Sequence, residues 1–320
     1  MIPFPRLAAA ALLASLALAP RVGARAAQGT AEEAPKPIQV SLEPVRTAFY
    51  PGQDLVVNLV FKGAGDNEVI VDPSAFAREA FTLQDGEGQP PGSRPRDGEP
   101  GAARPEPLSI KGFDTETRQV NLSAWYPKLT SKKGVWQVAW AHGERRAVPL
   151  KVPVVKAYRA EKDTMAEVVT ELGVMKWQLM PEAAPEHVKH FVDLVRTGFY
   201  DGLTIFRYVP GLYAEGGDAA GDGTGAWKRV MPPELSRTLK MTTGLVGASR
   251  QETSMTSDTM FFITSSPSEF MQGKQTFYAK VVEGIEVIAK LHTLPNKGDT
   301  GLRDEYTLVT PVKILSVTIR

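Results

Sequence analysis

The 320-residue chain has room for two domains, each with its own core. Its 37 basic and 36 acidic residues nearly cancel, which gives no electrostatic footing for nucleic acid or an anionic membrane. The absence of cysteine excludes disulfides, thiolate catalysis, cysteine-ligated zinc and a lipidated N-terminal cysteine.

Arg6 is followed by Leu7 to Ala19, an unbroken run of leucine, alanine and one serine. That run is shorter than the about 20 apolar residues a membrane span needs, and it suits a secretory signal. Ala24-Arg25-Ala26 supplies the small-x-small cleavage pattern, so residues 1–26 are expected to be removed and the mature chain exported, with no transmembrane segment. Residues 27–37 are small, polar and proline-containing, and are expected to be a disordered lead.

Residues 38–155 alternate in the manner of strands: Ile38, Val40 and Leu42, then Leu55 to Phe61, Glu68 to Val71 and Phe81 to Gln84. Pro107 to Ile110, Gln119 to Trp125, Gly134 to Trp140 and Ala147 to Val155 follow. Short strands, glycine and proline turns and no convincing helix predict an immunoglobulin-like β-sandwich, with Trp136, Val138 and Trp140 on its core face. Asp85 to Glu106 is a proline-, glycine- and arginine-rich stretch without periodicity, expected as a mobile excursion. No catalytic constellation assembles in this domain, so it is read as a spacer or a module that binds another protein. The charged stretch 156–164 is read as a linker.

Residues 165–320 open with strands at Ala166 to Glu171 and Val174 to Met180. Pro185, then Val188, Phe191, Val192 and Val195, mark an amphipathic helix that Gly198 ends. The strand around Ile205, Phe206, Tyr208 and Val209 carries Arg207, a permanent charge among apolar neighbours. A short helix is expected at Ile285 to Leu291. The closing strand is expected to set Val312, Ile314 and Ser316 against Lys313, Leu315 and Val317.

Three segments in this half carry a resemblance: Ile205 through Asp218, with its Pro210-Gly211 turn and Gly216-Gly217-Asp218; Thr259-Met260-Phe261-Phe262-Ile263; and Met271-Gln272-Gly273-Lys274-Gln275, followed by Tyr278-Ala279 and Val281-Val282-Glu283-Gly284. In this order they resemble the cyclophilin family of peptidyl-prolyl isomerases over about residues 166–320. The resemblance implies a mainly β fold, a closed eight-stranded barrel with two capping helices. It also implies an isomerase assisting the folding of envelope or secreted proteins, acting on proline-containing unfolded or flexible polypeptides.

Turning an X-Pro bond makes and breaks no covalent bond, so the chemistry calls for no cofactor, metal or nucleophile. By resemblance Arg207 is the catalytic donor and Phe262 the floor of the proline pocket. The remaining substrate positions fall on Leu212, Tyr213, Glu215, Met260, Phe270 and Gln275. Several depart from the family pattern: Phe206 replaces a histidine, Glu215 and Met260 replace glutamines, Phe270 a tryptophan and Gln275 a histidine. These departures leave a second reading open, a weak or inactive barrel serving as a peptide-binding scaffold. His142, His187, His190 and His292 show no metal spacing and are expected on separate elements. Asp218 and Asp222 sit in a glycine-rich connector without calcium-loop spacing. Ser265, Ser266 and Ser268 lack a histidine-aspartate partner.

Overall fold

The computed structural model describes residues 38–92, 106–225, 230–250, 255–302 and 304–320. The expected signal segment, the expected disordered lead and most of the expected 85–106 excursion lie outside the described residues. In the N-terminal half the strands are β1 (Gln39–Pro44), β2 (Val56–Lys62), β3 (Val69–Val71), β4 (Phe81–Gln84) and β5 (Leu108–Ile110). They continue as β6 (Thr115–Asn121), β7 (Gly134–His142), β8 (Arg145–Arg146) and β9 (Leu150–Val154). They pair as β1-β2-β6, as β3-β5, and as β4-β7-β8 with β9 on the far part of β7. One core joins these sheets, with Phe61 set edge-on to Phe76 and Trp140. Val138 and Trp140 are fully buried and Trp136 packs against the same core, as the alternation required.

One expected strand is wrong at both ends. Gln119 to Trp125 divides into the end of β6 and a short helix, α1 (Leu122–Trp125). The Asn121 side chain accepts the Ser123 N–H at 3.0 Å and turns the chain out of the sheet. β6 begins earlier, at Thr115, because its exposed polar residues offered no alternation to read.

The second half is built from β10 (Met165–Thr170), β11 (Gly173–Leu179), α2 (Pro185–Arg196), β12 (Thr204–Val209) and β13 (Tyr213–Gly216). Then come β14 (Val230–Met231), β15 (Leu245–Arg250), β16 (Thr256–Thr264), β17 (Phe277–Glu283), α3 (Glu286–His292) and β18 (Thr307–Ile319). Eight of these strands close a ring in the order β10-β11-β17-β15-β16-β13-β12-β18, every pair antiparallel; β14 is an appendage on β16. Closure leaves the barrel without an open edge. Inside it, Trp177 meets Phe261 edge-on at 5.2 Å and stacks near Phe191 of α2 at 5.8 Å. Val287, Ile288 and Leu291 of α3 join the same core.

The closing strand departs from simple alternation. Val312 and Ile314 face inward, but Val317 is buried in place of Ser316. Val169 pairs with Ser316 while Thr170 pairs with Ile314, so Leu315 bulges outward, half exposed, and the phase inverts.

Helix α2 starts at Pro185 and is capped by a distant residue. The Glu234 carboxylate accepts the N–H groups of Glu186 at 3.2 Å and His187 at 3.0 Å. Gly198, at φ +72°, stops it. Its outer face receives the N-terminal half. Tyr50 donates to the buried Asp193 at 2.6 Å, Thr47 lies 3.3 Å from His190 Nδ1, and Lys189 stands over the Tyr50 ring. The 156–164 stretch is anchored to the same helix by Asp163, buried and 2.7 Å from Arg196.

Burial holds the Asp193 carboxyl above its ordinary range, while Tyr50, Lys189, His190 and Arg196 pull the other way. Tyr50→Phe removes the donor from a buried carboxylate and is expected to cost about 1–3 kcal/mol near neutral pH. The sign follows from the raised value. Asp193 stabilises the fold in its neutral form, below the ordinary carboxylate value, and that contribution is lost as pH rises through the raised one. The Tyr50→Phe deficit should therefore shrink on acidification through that window. Denaturant melts of both proteins across pH check this; a deficit that grows with acidity contradicts it.

Candidate active site

The outer face of β12, β13 and β16 collects most of the residues singled out from the sequence. Gly216 is paired with Ile205 and Glu215 with Arg207, so Phe206 is an extra residue in β12. Ile205 and Tyr208 belong to the barrel core, and the bulge turns both Phe206 and Arg207 away from it. That is the local reason a guanidinium is tolerated in an apolar strand.

Across the hairpin, Arg207 Nη1 donates to Glu215 Oε2 at 2.8 Å. Both side chains are largely buried, 16% and 9% exposed, so this is a weakly screened and directional ion pair. Burial raises the Glu215 carboxyl above its ordinary value, opposed by Ser249 and by the Arg207 guanidinium. The Arg207 guanidinium also stands 5.4 Å from the Phe206 ring.

Glu215 is in turn the cross-strand partner of Phe262. While Phe261 and Ile263 point into the barrel, Phe262 points outward and heads a separate apolar cluster with Met180, Leu245, Met271 and Phe277. Tyr213 lies edge-on to it at 5.8 Å and Phe277 at 5.6 Å. Gly247, opposite Phe262 on β15, leaves room for this ring: a methyl group there would lie 2.5 Å from Phe262 Cζ. Burial raises the Tyr213 hydroxyl above its ordinary value; Glu215 adds to the shift and Arg207 opposes it.

Arg207, Tyr213, Glu215 and Phe262 are thus brought together. Met260 takes a different place. It is buried against Phe206 in a two-residue cluster, so the positions where the family pattern has histidine and glutamine hold a mutually packed apolar pair. Leu212 sits in the turn, half-buried, its carbonyl accepting the Ser265 N–H at 2.9 Å. Phe270 is 60% exposed, with Lys274 Nζ 5.9 Å from its ring. Gln275 is half-buried, and its Oε1 has no hydrogen-bond partner among the described residues.

The sequence reading missed Gly247 and the supporting cluster of Met180, Leu245, Met271 and Phe277. A lone glycine inside the apolar Leu245–Val246–Gly247–Ala248 run was the available signal. It also missed Tyr306, which adopts φ +53° one residue before the partner of Arg207, held by the Gly298 carbonyl at 2.7 Å. The histidines correct another expectation, because His187 and His190 share α2. His187 is buried between Glu234 at 2.5 Å and Thr256 at 2.8 Å, and burial lowers its pKa. No group of three metal-ligating side chains occurs among the described residues. Asp218 is buried and accepts the Asp222 and Gly223 N–H groups, which fixes the glycine-rich connector.

The family model described as cyclophilin type peptidyl-prolyl cis-trans isomerase/CLD matches residues 165–319. A peptidyl-prolyl cis-trans isomerase-like protein of Rhizopus delemar is 30% identical over 140 residues, 43% of this chain, which spans about a quarter (26%) of that relative. A mouse peptidyl-prolyl cis-trans isomerase-like protein is 30% identical over 125 residues, 38% of this chain and 75% of the relative. A Cryptosporidium parvum cyclophilin type peptidyl-prolyl cis-trans isomerase, solved in the presence of the dipeptide Ala-Pro, aligns at 22% identity and TM-score 0.45, covering 49% of this chain and 98% of that one. With the family match over 165–319 and 30% identity across 75% of the mouse relative, this chain belongs to the cyclophilin-type peptidyl-prolyl cis-trans isomerase family.

Proposed function

We propose that the chain is an exported peptidyl-prolyl cis-trans isomerase acting on proline-containing segments of unfolded or flexible envelope or secreted proteins. One observation carries the reading: the bulge in β12 sets Arg207 outward on the same face as the apolar cluster around Phe262, with only β13 between them. Rotation about an X-Pro bond meets a barrier of ~18–20 kcal/mol because the planar amide is conjugated. Twisting it returns a lone pair to the prolyl nitrogen. A guanidinium N–H stabilises that lone pair and not the planar ground state. Tyr213, half-buried and backed by the buried Phe262 ring, offers apolar surface on which the proline ring rests while its acyl group turns.

A protease-coupled proline-peptide assay tests the activity, and a rate equal to the uncatalysed one would refute it. The Arg6 and Leu7–Ala19 pattern supports export. Mass spectrometry of the protein from its native envelope is expected to find Ala27 at the N-terminus; an intact Met1 would count against cleavage.

The ion pair favours a second reading, a peptide-binding scaffold with little catalysis, because Glu215 already takes one of the donors that Arg207 would offer. NMR titration with a proline peptide separates the two: a scaffold gives binding shifts without exchange between cis and trans signals. Glu215→Gln keeps an acceptor for Arg207 while removing the negative charge beside it. Its kcat/KM is expected to rise about threefold to tenfold, roughly 0.7–1.4 kcal/mol of barrier. Because the Glu215 carboxyl is raised, its neutral form stabilises the fold at low pH and that contribution fades as pH climbs through the raised value. The amide variant should lack this fade. Unchanged or reduced kcat/KM in the variant would show that the pair positions Arg207 and does not restrain it.

A further inference from the structure

Away from the barrel, the N-terminal half holds a cavity of about 590 Å³ between the 85–92 turn and the 128–136 segment that leads into β7. Its floor is apolar: Leu129, Val135, Trp136 and the Pro90-Pro91 pair. Val135 is 41% exposed there, a large side chain left open beside a concave surface.

The walls are fixed. Trp136 Nε1 donates to the Leu129 carbonyl at 2.7 Å, and the Lys128 carbonyl accepts both the N–H and the hydroxyl of Ser131. On the other side the Asp85 carboxylate is engaged by the N–H groups of Glu87 at 3.0 Å and Gln89 at 2.8 Å. The rim carries Lys128, Lys132 and Lys133, all exposed, and no ion pair among the described residues involves them. Glu87 and Asp85 are the opposing charges in the lining. Three ammonium groups against two carboxylates, one of them already engaged by backbone N–H groups, around a greasy floor is an amphipathic recognition surface of net positive sign.

The geometry points to this cavity as a docking site for an acidic polypeptide segment, with an aliphatic side chain seated against Trp136 and Leu129 and carboxylates on the lysine rim. The concavity takes a side chain, which a flat lipid surface does not supply. Glu87 and Asp85 in the lining disfavour a uniform polyanion such as nucleic acid. The chain's own adjoining residues 93–105 do not complement it, since Arg94, Arg96 and Arg104 outnumber Asp97 and Glu99. The assignment is independent of the barrel and of its proposed activity.

The test uses the full mature chain, isotopically labelled, and the proline-free peptide acetyl-Glu-Asp-Leu-Leu-Asp-Glu-amide, with acetyl-Lys-Arg-Leu-Leu-Arg-Lys-amide as control. Lacking proline, the probe does not report on the isomerase reading. Saturable NMR shifts are expected at the Trp136 indole N–H and the Gly134 amide for the acidic peptide alone. Affinity should fall about tenfold between roughly 25 and 250 mM salt. It should fall at least tenfold in the Lys128→Glu/Lys132→Glu/Lys133→Glu variant. Glu87→Lys is expected to tighten binding severalfold, a gain that misfolding cannot produce. Equal shifts with the basic peptide, shifts confined to other surfaces, no saturation at millimolar peptide, or binding of anionic phospholipid vesicles but not of the peptide would each overturn the assignment.

Discussion

Arg207→Ala is expected to lower kcat/KM for a proline peptide by roughly 10²–10³-fold, the loss seen when one preorganised transition-state donor is deleted. That is about 2.7–4 kcal/mol of barrier, set against a planar-amide barrier of ~18–20 kcal/mol. The substitution also strands the Glu215 carboxylate, buried and without its guanidinium, so a fall in stability accompanies it. Arg207→Ala/Glu215→Gln removes both charges and isolates the catalytic loss. If the double variant keeps a normal melt and its activity stays at the uncatalysed level, the guanidinium is the donor. Activity within a few-fold of the parent in either variant would place the catalysis elsewhere.

The second large effect belongs to a residue with no functional group. A methyl on Gly247 would lie 2.5 Å and 2.7 Å from two atoms of the Phe262 ring and 2.7 Å from the Thr276 carbonyl oxygen. Neither neighbour yields easily. Thr276 O is backbone, and the ring is flanked by Tyr213 and Phe277. Overpacking of this kind costs about 1–3 kcal/mol. Gly247→Ala should therefore melt several degrees lower, and the displaced ring should raise KM for a proline peptide more than it lowers kcat. Gly86→Ala, where the added methyl meets nothing within 4 Å, is the control. A Gly247→Ala protein with parental melt and KM would show that the Phe262 ring is free to move.

The barrel was legible because its signals are local and repeated. Alternation marked β10, β11 and β18, the i, i+3, i+4, i+7 spacing marked α2, and separated motifs fixed the order of elements. The same motifs named Arg207, Tyr213 and Phe262 as site residues, but that they share one outer face of the barrel is visible only in the fold. What escaped depends on partners distant in sequence. The cap of α2 is Glu234, nearly fifty residues downstream, and no pattern within the helix announces it. The pairing of N-terminal strands into three small sheets is likewise set by contacts such as β2 with β6, far apart in the chain. Phe206 and Met260 read as two unrelated departures from the family pattern, yet they touch, so one change accommodates the other. The inverted phase at Leu315 was invisible because a bulge leaves composition untouched.

The surplus position in β12 also governs what the chain tolerates there. Exchanging the Phe206 side chain alters what covers Met260 and what stands beside the Arg207 guanidinium. Drawing Phe206 into the ladder, with Ile205 still facing inward, would restore strict alternation and turn the guanidinium into a greasy interior lined by Trp177 and Phe261. The bulge in that strand, more than the identity of its neighbours, keeps the positive charge on the outside of the barrel.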